Sequence, residues 1–125
     1  MAGSELRGTD LLEISEQDGI KIIQFQDSHL IDATLIKNAA DELLKQIDGT
    51  TPKVVLDFSN ILFLASAMLG KLITVHRQVR LNGGSLAFCS IPEQTLETFR
   101  VSKLDTYFDI YPNVEKAIGA IKEAN

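Results

Sequence analysis

The sequence has few of the side chains on which disulfide-linked proteins, metal sites and most enzymes depend. It contains one cysteine, two histidines and no tryptophan among 125 residues. The single cysteine, Cys89, excludes an intramolecular disulfide, and one cysteine with two histidines cannot complete a structural zinc site made from those ligands. We therefore expect no metal, no other cofactor and no disulfide-stabilised secreted scaffold.

Basic residues and long apolar runs are also scarce. Lysine and arginine number 12 against 17 aspartates and glutamates, which gives a net charge of −5. This balance argues against nucleic acid or an anionic membrane as the partner. No apolar run approaches the roughly 20 residues that cross a bilayer, and the opening MAGSELRGTD has neither the basic start nor the apolar stretch of a signal peptide. We expect a cytoplasmic protein with no membrane insertion.

The residues that are present fit one folded domain. Apolar residues make up 45% of the chain and charged residues 23%, an ordinary composition for a globular domain of this length. The first ten residues are small and polar. We predict a flexible N-terminal segment over residues 1–10 and a domain over residues 11–124.

Strand and helix patterns alternate along that domain. Strands are predicted over 11–17, 20–26, 53–58 and 85–89, with a short edge strand at 107–110, and helices over about 33–47, 66–81, 92–100 and 113–123. Asp18-Gly19 predicts a hairpin turn, and Asp32 predicts a helix N-cap. The order ββαβαβα indicates the α/β class, and the strand–helix–strand unit from 53 to 89 predicts a parallel pair with a right-handed crossover.

No arrangement of residues predicts catalysis. Ser66 and His76 would lie on one helix about 15 Å apart, whereas a nucleophile and its base need about 3 Å. The run Leu69-Gly70-Lys71-Leu72 lacks the earlier glycine and the Ser or Thr of a phosphate-binding loop. Asp57 at the end of its strand could bind a metal, but no second carboxylate lies near it in the sequence, so the favoured interpretation is a hydrogen-bond acceptor in the turn. We expect a binding protein with no catalytic residues, not an enzyme.

The connection after the central strand is unusual because four consecutive apolar residues, Ile61 to Leu64, occupy it. Such connections lie on the surface and are ordinarily polar. We expect a short buried strand extension to account for two of the four. The other two predict an apolar surface patch at the carboxyl end of the strands, where open α/β sheets place their binding sites.

Ser66 at the predicted start of the second helix has two interpretations. Serine is a favoured N-cap, which by itself explains its position. Alternatively, Ser66 is a phosphorylation site. A phosphate there would suit the positive end of the helix but would not be tolerated against an apolar partner surface. In that case phosphorylation would change docking without changing the fold.

A helical wheel divides this second helix into two faces. One face is predicted to be buried and contains Met68, Leu69, Leu72, Ile73, Val75 and Val79, with His76 and Arg80 at its margin. The outward face contains Ala67, Gly70, Lys71, Thr74, Arg77 and Gln78. Gly70 is explained equally well by a partner that approaches the helix closely and by packing under a neighbouring loop.

Two segments resemble the STAS domain family, whose small free-standing members include bacterial anti-sigma factor antagonists. They are Val54-Val55-Leu56-Asp57-Phe58-Ser59-Asn60 and Phe63-Leu64-Ala65-Ser66-Ala67-Met68-Leu69-Gly70. Gly83-Gly84 and the stretch from Leu104 to Ile110 also resemble the family. The resemblance implies a single-domain STAS-like fold, with a small mixed sheet and about four helices. Ser66, Leu69 and Gly70 match the family motif, whereas Ala65, Ala67 and Met68 replace its Asp, its second Ser/Thr and its first Gly.

The resemblance also implies a phosphorylation-controlled partner switch that regulates transcription. The unphosphorylated antagonist binds an anti-sigma factor that is also a serine kinase, phosphorylation of the motif serine separates the two, and a PP2C-type phosphatase restores binding. Ser66 takes the place of that serine, and we expect a monomer or weak dimer. The residues expected to contact the partner are Leu62, Leu64, Ala65, Ser66, Ala67, Met68, Gly70, Lys71 and Thr74.

Two alternatives remain open. The missing Asp favours a non-switching STAS adaptor or scaffold subunit of a transporter or signalling assembly. The apolar end of the sheet also suits a nucleotide or a lipid-like small molecule.

Overall fold

A computed structural model describes residues 7–8, 10–47, 49 and 51–124. Its strands are β1 (Arg7–Gly8), β2 (Leu12–Gln17), β3 (Ile20–Phe25), β4 (His29–Leu30), β5 (Lys53–Asp57), β6 (Phe63–Leu64), β7 (Ser85–Cys89) and β8 (Ile110–Tyr111). Its helices are α1 (Ala33–Gln46), α2 (Ser66–Leu81), α3 (Glu93–Val101) and α4 (Val114–Ala124). The predicted α/β class with four helices is confirmed.

Six strands form one mixed sheet in the order β1-β2-β3-β5-β7-β8. The first three pair antiparallel, and β3, β5, β7 and β8 run parallel. The predicted parallel pair is β5 and β7, joined through α2. The remaining strands, β4 and β6, form a separate two-stranded parallel sheet.

The turn between β2 and β3 follows from its two residues. Asp18 and Gly19 both have positive φ, 55° and 79°. Positive φ at both central positions defines the hairpin turn that Asp-Gly favours. The pairing of Gln17 with Ile20 then sets the register of the hairpin.

Apolar layers cover both faces of the sheet. Successive residues of β5 point to opposite faces, so Val54 and Leu56 pack in one layer and Val55 in the other. The larger layer includes α1, α2 and α3 and contains Phe25, Phe58, Phe88, Phe99 and Phe108. The smaller layer is formed by α4 through Ala117, Ile118 and Ile121. Since both faces of β5 are covered, its residues form the continuous apolar run seen in the sequence.

Three short strands were not predicted: β1, β4 and β6. Arg7 and Gly8 pair with β2 although they fall within the predicted N-terminal flexible segment. Residues 1–6 and 9 of that segment lie outside the described residues. The predicted edge strand at 107–110 is wrong for its first residues, because Phe108 is buried in a turn where its N–H donates to Leu104 O at 3.1 Å. None of the helices in the described ranges is long and apolar enough to cross a membrane.

Candidate functional site

The turn after β5 directs the chain toward α2. The side chain of Asp57 accepts a hydrogen bond from the Ser59 N–H at 2.9 Å. The Gln24 side-chain amide donates to the Ser59 hydroxyl at 2.9 Å, and the N–H of Ile61 donates to Phe58 O at 2.9 Å. Asp57 therefore has the turn-forming role predicted for it.

Hydrogen bonds from two directions fix the apolar segment that follows. The N–H groups of Leu62 and Phe63 donate to Ser28 O at 2.8 and 3.2 Å, and the N–H of Ala65 donates to Leu30 O at 3.0 Å. From the opposite side, the Thr95 hydroxyl on α3 donates to Ile61 O at 3.0 Å. A neighbouring amide on α3, that of Gln94, donates to Leu62 O at 3.0 Å. The segment is thereby held between β4 and α3.

This anchoring buries two of the four apolar residues and exposes the other two, as predicted. Ile61 is 0% exposed and Leu64 8%, whereas Leu62 is 45% and Phe63 53% exposed. Ile31, which follows β4, is 56% exposed. By strand alternation Ile31 and Phe63 lie on the same face of the two-stranded sheet. Ile31, Leu62 and Phe63 form what we call the apolar patch.

Helix α2 begins beside this patch without a side-chain cap. Its N-cap residue is Ala65, and Ser66 is its first residue, so the interpretation of Ser66 as the N-cap is wrong. Alanine has no side-chain acceptor for the first N–H groups of the helix, and the first turn contains no acidic residue. Within the described ranges, the N–H of Met68 is the one bonded in a short turn here, and it donates to Ala65 O at 2.9 Å. The exposed Ser66 hydroxyl therefore lies at an uncapped, positive helix end.

The outward face of α2 continues from Ser66 as a shallow surface. Ala67, Lys71 and Thr74 are exposed on it. A Cβ added to Gly70 would meet nothing within 4 Å, so this glycine is not explained by packing under a loop. The other interpretation of Gly70, a face that a partner approaches closely, stays a prediction.

Two residues expected at the partner surface are buried. Leu64 is 8% exposed and Met68 0%, because their side chains point into the larger apolar layer. Both must be removed from the predicted contact set, and Ala65 contributes a half-buried methyl only. The predicted residues that remain exposed are Leu62, Ser66, Ala67, Gly70, Lys71 and Thr74.

Two exposed residues were missing from the prediction. Phe63 lies within the apolar run. Strand alternation would expose either Leu62 and Leu64 or Ile61 and Phe63. The structure instead exposes two neighbours, Leu62 and Phe63. Ile31 enters the site only because β4 pairs with β6. A weak signal for Ile31 was available, since it is a large apolar residue directly before the predicted N-cap, Asp32.

Side chains that could act as a nucleophile or a base, such as Cys89 and His76, lie outside this site. Cys89 is buried, and burial raises the pKa of its thiol to about 11, so little thiolate is available as a nucleophile. The His76 ring packs against Tyr107 and Phe108, with centroid distances of 4.9 and 5.5 Å. Nowhere in the part of the chain that the structure describes do three or more His, Cys, Asp or Glu side chains form a metal site.

Comparison with known proteins agrees with this architecture. The chain is 27% identical to BtrV from Bordetella bronchiseptica, designated a candidate anti-sigma factor antagonist, over 113 residues that cover 90% of this chain and 96% of BtrV. A solved anti-sigma factor antagonist (STAS) domain protein from Planctomyces limnophilus has a TM-score of 0.79 at 19% identity, covering 89% of this chain and 97% of that one. A serine-to-glutamate variant of RsbS from Moorella thermoacetica has a TM-score of 0.75 at 20% identity, covering 93% and 97%. The two solved structures show a common fold, and the model of the STAS domain family matches residues 12–117. The chain therefore belongs to the STAS domain family.

Proposed function

We propose that this protein is an anti-sigma factor antagonist, which binds an anti-sigma factor with serine-kinase activity and releases it when Ser66 is phosphorylated. The designation of BtrV supports the general role. The observation that carries the proposal is the position of Ser66, exposed at an uncapped helix start beside the apolar patch. A phosphate on Ser66 would place negative charge next to Leu62 and Phe63, the residues that a partner would cover. Its addition and removal would therefore change partner binding.

The proposed modification is an ordinary phosphoryl transfer. The Ser66 oxygen bonds to the γ-phosphorus of ATP held by the partner kinase, the bond from that phosphorus to ADP breaks, and the hydroxyl proton is released. The product carries nearly two negative charges at neutral pH. The free N–H groups of α2 stabilise those charges within this chain, whereas an apolar partner surface laid over the patch would have to desolvate them. A PP2C-type phosphatase would reverse the step by hydrolysis.

The direct test measures binding between the purified chain and a cognate histidine-kinase-like anti-sigma factor. Calorimetry is performed without ATP on wild type, Ser66→Ala, Ser66→Asp, Phe63→Ser and Val101→Ser. We expect Ser66→Ala to bind like wild type. Ser66→Asp and Phe63→Ser should each weaken binding at least about tenfold, or ~1.4 kcal/mol. Val101→Ser is the matched control, since Val101 is also apolar and exposed but lies at the end of α3, outside the apolar patch and the outward face of α2.

Incubation with ATP then tests the modification itself. Mass spectrometry should find one added phosphate, and Ser66→Ala should abolish it. If Ser66→Asp binds the anti-sigma factor like wild type and no phosphate appears on Ser66, the switch is wrong. Stable, Ser66-independent binding to a transporter or signalling subunit would instead identify a non-switching adaptor.

A further inference from the structure

A second exposed surface lies at the carboxyl end of α2, away from Ser66. His76, Arg77, Arg80 and Leu81 of this helix, together with Tyr107, line a cavity of about 370 Å³. At 1.5 Å rise per residue, Arg77 is about 16 Å and Leu81 about 22 Å along the axis from Ser66. A short ligand in this cavity would not reach the start of the helix. We call it the C-terminal hollow.

The hollow combines exposed apolar surface with two arginines. Leu81 is 73% exposed and Tyr107 47%. The Tyr107 ring packs on His76, whose own side chain is only 8% exposed, so this wall is supported from beneath. Tyr and Arg, two residue types that this hollow exposes, are enriched at the centres of protein interfaces.

The two arginines are not neutralised within the protein. Among the described residues, neither Arg77 nor Arg80 forms an ion pair, although Lys37, Lys45, Arg100 and Lys122 each do. Asp109 acts on the pKa of His76 and lines a neighbouring cavity of about 170 Å³ with His76 and Arg80. Among the residues that the structure describes, no carboxylate lines the hollow itself. The two guanidinium groups of the hollow therefore lack an ion-pair partner in a chain whose net charge is −5, and Asp109 offsets part of their charge from the neighbouring cavity.

The imidazole beneath the arginines is also incompletely bonded. In the described part of the chain, Nδ1 of His76 is buried and has no hydrogen-bond partner. Of the side chains that line the hollow in the described structure, the two guanidinium groups are donors only, and none is a carboxylate. An anionic acceptor is the chemistry that this arrangement lacks.

We infer that the C-terminal hollow is a second docking surface, which takes an acidic segment of a partner protein with an apolar side chain next to its carboxylates. The carboxylates pair with Arg77 and Arg80, and the apolar side chain lies between Leu81 and the Tyr107 ring. Charge complementarity selects this occupant, because a basic or neutral segment would leave both guanidinium groups unpaired. The surface goes beyond the proposed switch, since it leaves Ser66 free and would let one chain contact two partners.

The test is a titration of the 15N-labelled chain with the capped hexapeptide EDLFED, followed by NMR, with the uncharged hexapeptide QNLFQN as the comparison. We expect EDLFED to shift the amide signals of Arg77, Arg80, Leu81 and Tyr107 with a Kd of about 1 mM or lower. Arg77→Glu should weaken this binding about tenfold or more, whereas Lys116→Glu should change it less than about twofold. Lys116 is a matched control because it is also an exposed helical cation without a described ion pair. Arg77→Gln repeats the test if the charge reversal disturbs folding.

Three outcomes would overturn the inference. The first is the absence of shifts at these amides with about 5 mM EDLFED, well above the expected Kd. The second is equal binding of QNLFQN, which would remove the role of charge. The third is an equal loss of EDLFED binding in the Arg77 and Lys116 variants, which would indicate general electrostatic attraction between peptide and protein. Ser66→Asp should leave peptide binding unchanged, so failure of this inference and failure of the proposed switch are distinguishable.

Discussion

His76 illustrates how position decides the chemistry of a single residue. The ring is enclosed by Tyr107 and Phe108, and Nδ1 has no partner in the described structure. Burial lowers the pKa of His76, the nearby positive Arg80 lowers it further, and Asp109 acts in the opposite direction. The neutral imidazole is therefore the form that the folded protein favours.

This shift predicts that stability falls as the solution becomes mildly acidic. Because the folded pKa lies below the unfolded value of 6.5, the unfolded chain binds the proton first as the pH falls. The stability that comes from keeping His76 neutral is fully present above about pH 6.5 and is lost below it. The free energy of unfolding changes by at most about 1.4 kcal/mol per pH unit. Urea unfolding at several pH values from 7 to 5 measures the slope.

The variant His76→Phe keeps a ring between Tyr107 and Phe108 but cannot be protonated. Its stability should vary less with pH over this range than that of wild type. An identical slope in wild type and His76→Phe would show that another group causes the pH dependence.

At the scale of elements, α1 and α2 differ in how they begin. The Leu35 N–H donates to the Asp32 side chain at 3.0 Å, which caps α1. The N-cap of α2 is Ala65, which has no such acceptor but has extended backbone angles that suit a cap. The absence of a side-chain cap would leave the first N–H groups of α2 available to the phosphate that we propose on Ser66.

Ala65→Asp should supply the missing cap. We expect the free energy of unfolding to rise by about 1 kcal/mol, since an Asp cap and its charge both favour the helix start. Asp32→Ala should lower it by a similar amount, which makes α1 the internal control. Denaturant unfolding of both variants checks the signs. A decrease for Ala65→Asp would mean that the half-buried position of Ala65 outweighs the capping gain.

The sequence predicts long elements well and short ones poorly, for a physical reason. The spacing of Ile36, Ala39, Ala40 and Leu43 predicts the buried face of α1 from local pattern alone. Strands β4 and β6 contain two residues each, too few to show any alternation. Their existence depends on hydrogen bonds between residues more than thirty positions apart, as does the exposure of Phe63. For the same reason the local pattern marked Ile31 only weakly, and the pairing of β4 with β6 is what places it beside Phe63.

At the scale of the whole molecule, the charge of −5 bears on how the proposed switch acts. Ser66→Asp changes the formal net charge to −6, and Lys116→Gln changes it by the same amount. If bulk charge controlled partner binding, the two substitutions would be equivalent. At an ionic strength of about 0.1 M, charges on the surface act over a distance of only about 10 Å.

We therefore expect the two variants to differ strongly in binding the anti-sigma factor. Ser66→Asp should lose at least about tenfold in affinity, and Lys116→Gln should remain within about twofold of wild type. Calorimetry at two salt concentrations measures the affinity of each variant. Equal losses in both variants would mean that repulsion between the whole molecules controls binding.

The two-stranded sheet of β4 and β6 joins the segment before α1 to the segment before α2. Its backbone bonds from Leu62, Phe63 and Ala65 end on only two carbonyls, those of Ser28 and Leu30. Thr95 and Gln94 on α3 bond the same segment from the other side. We expect this small unit, which has exposed side chains at Ile31 and Phe63, to open more readily than the main sheet. A partner that covers Phe63 and Ile31 would close this unit and slow the hydrogen exchange of its amides. The local opening equilibrium of these residues thus becomes part of the binding free energy.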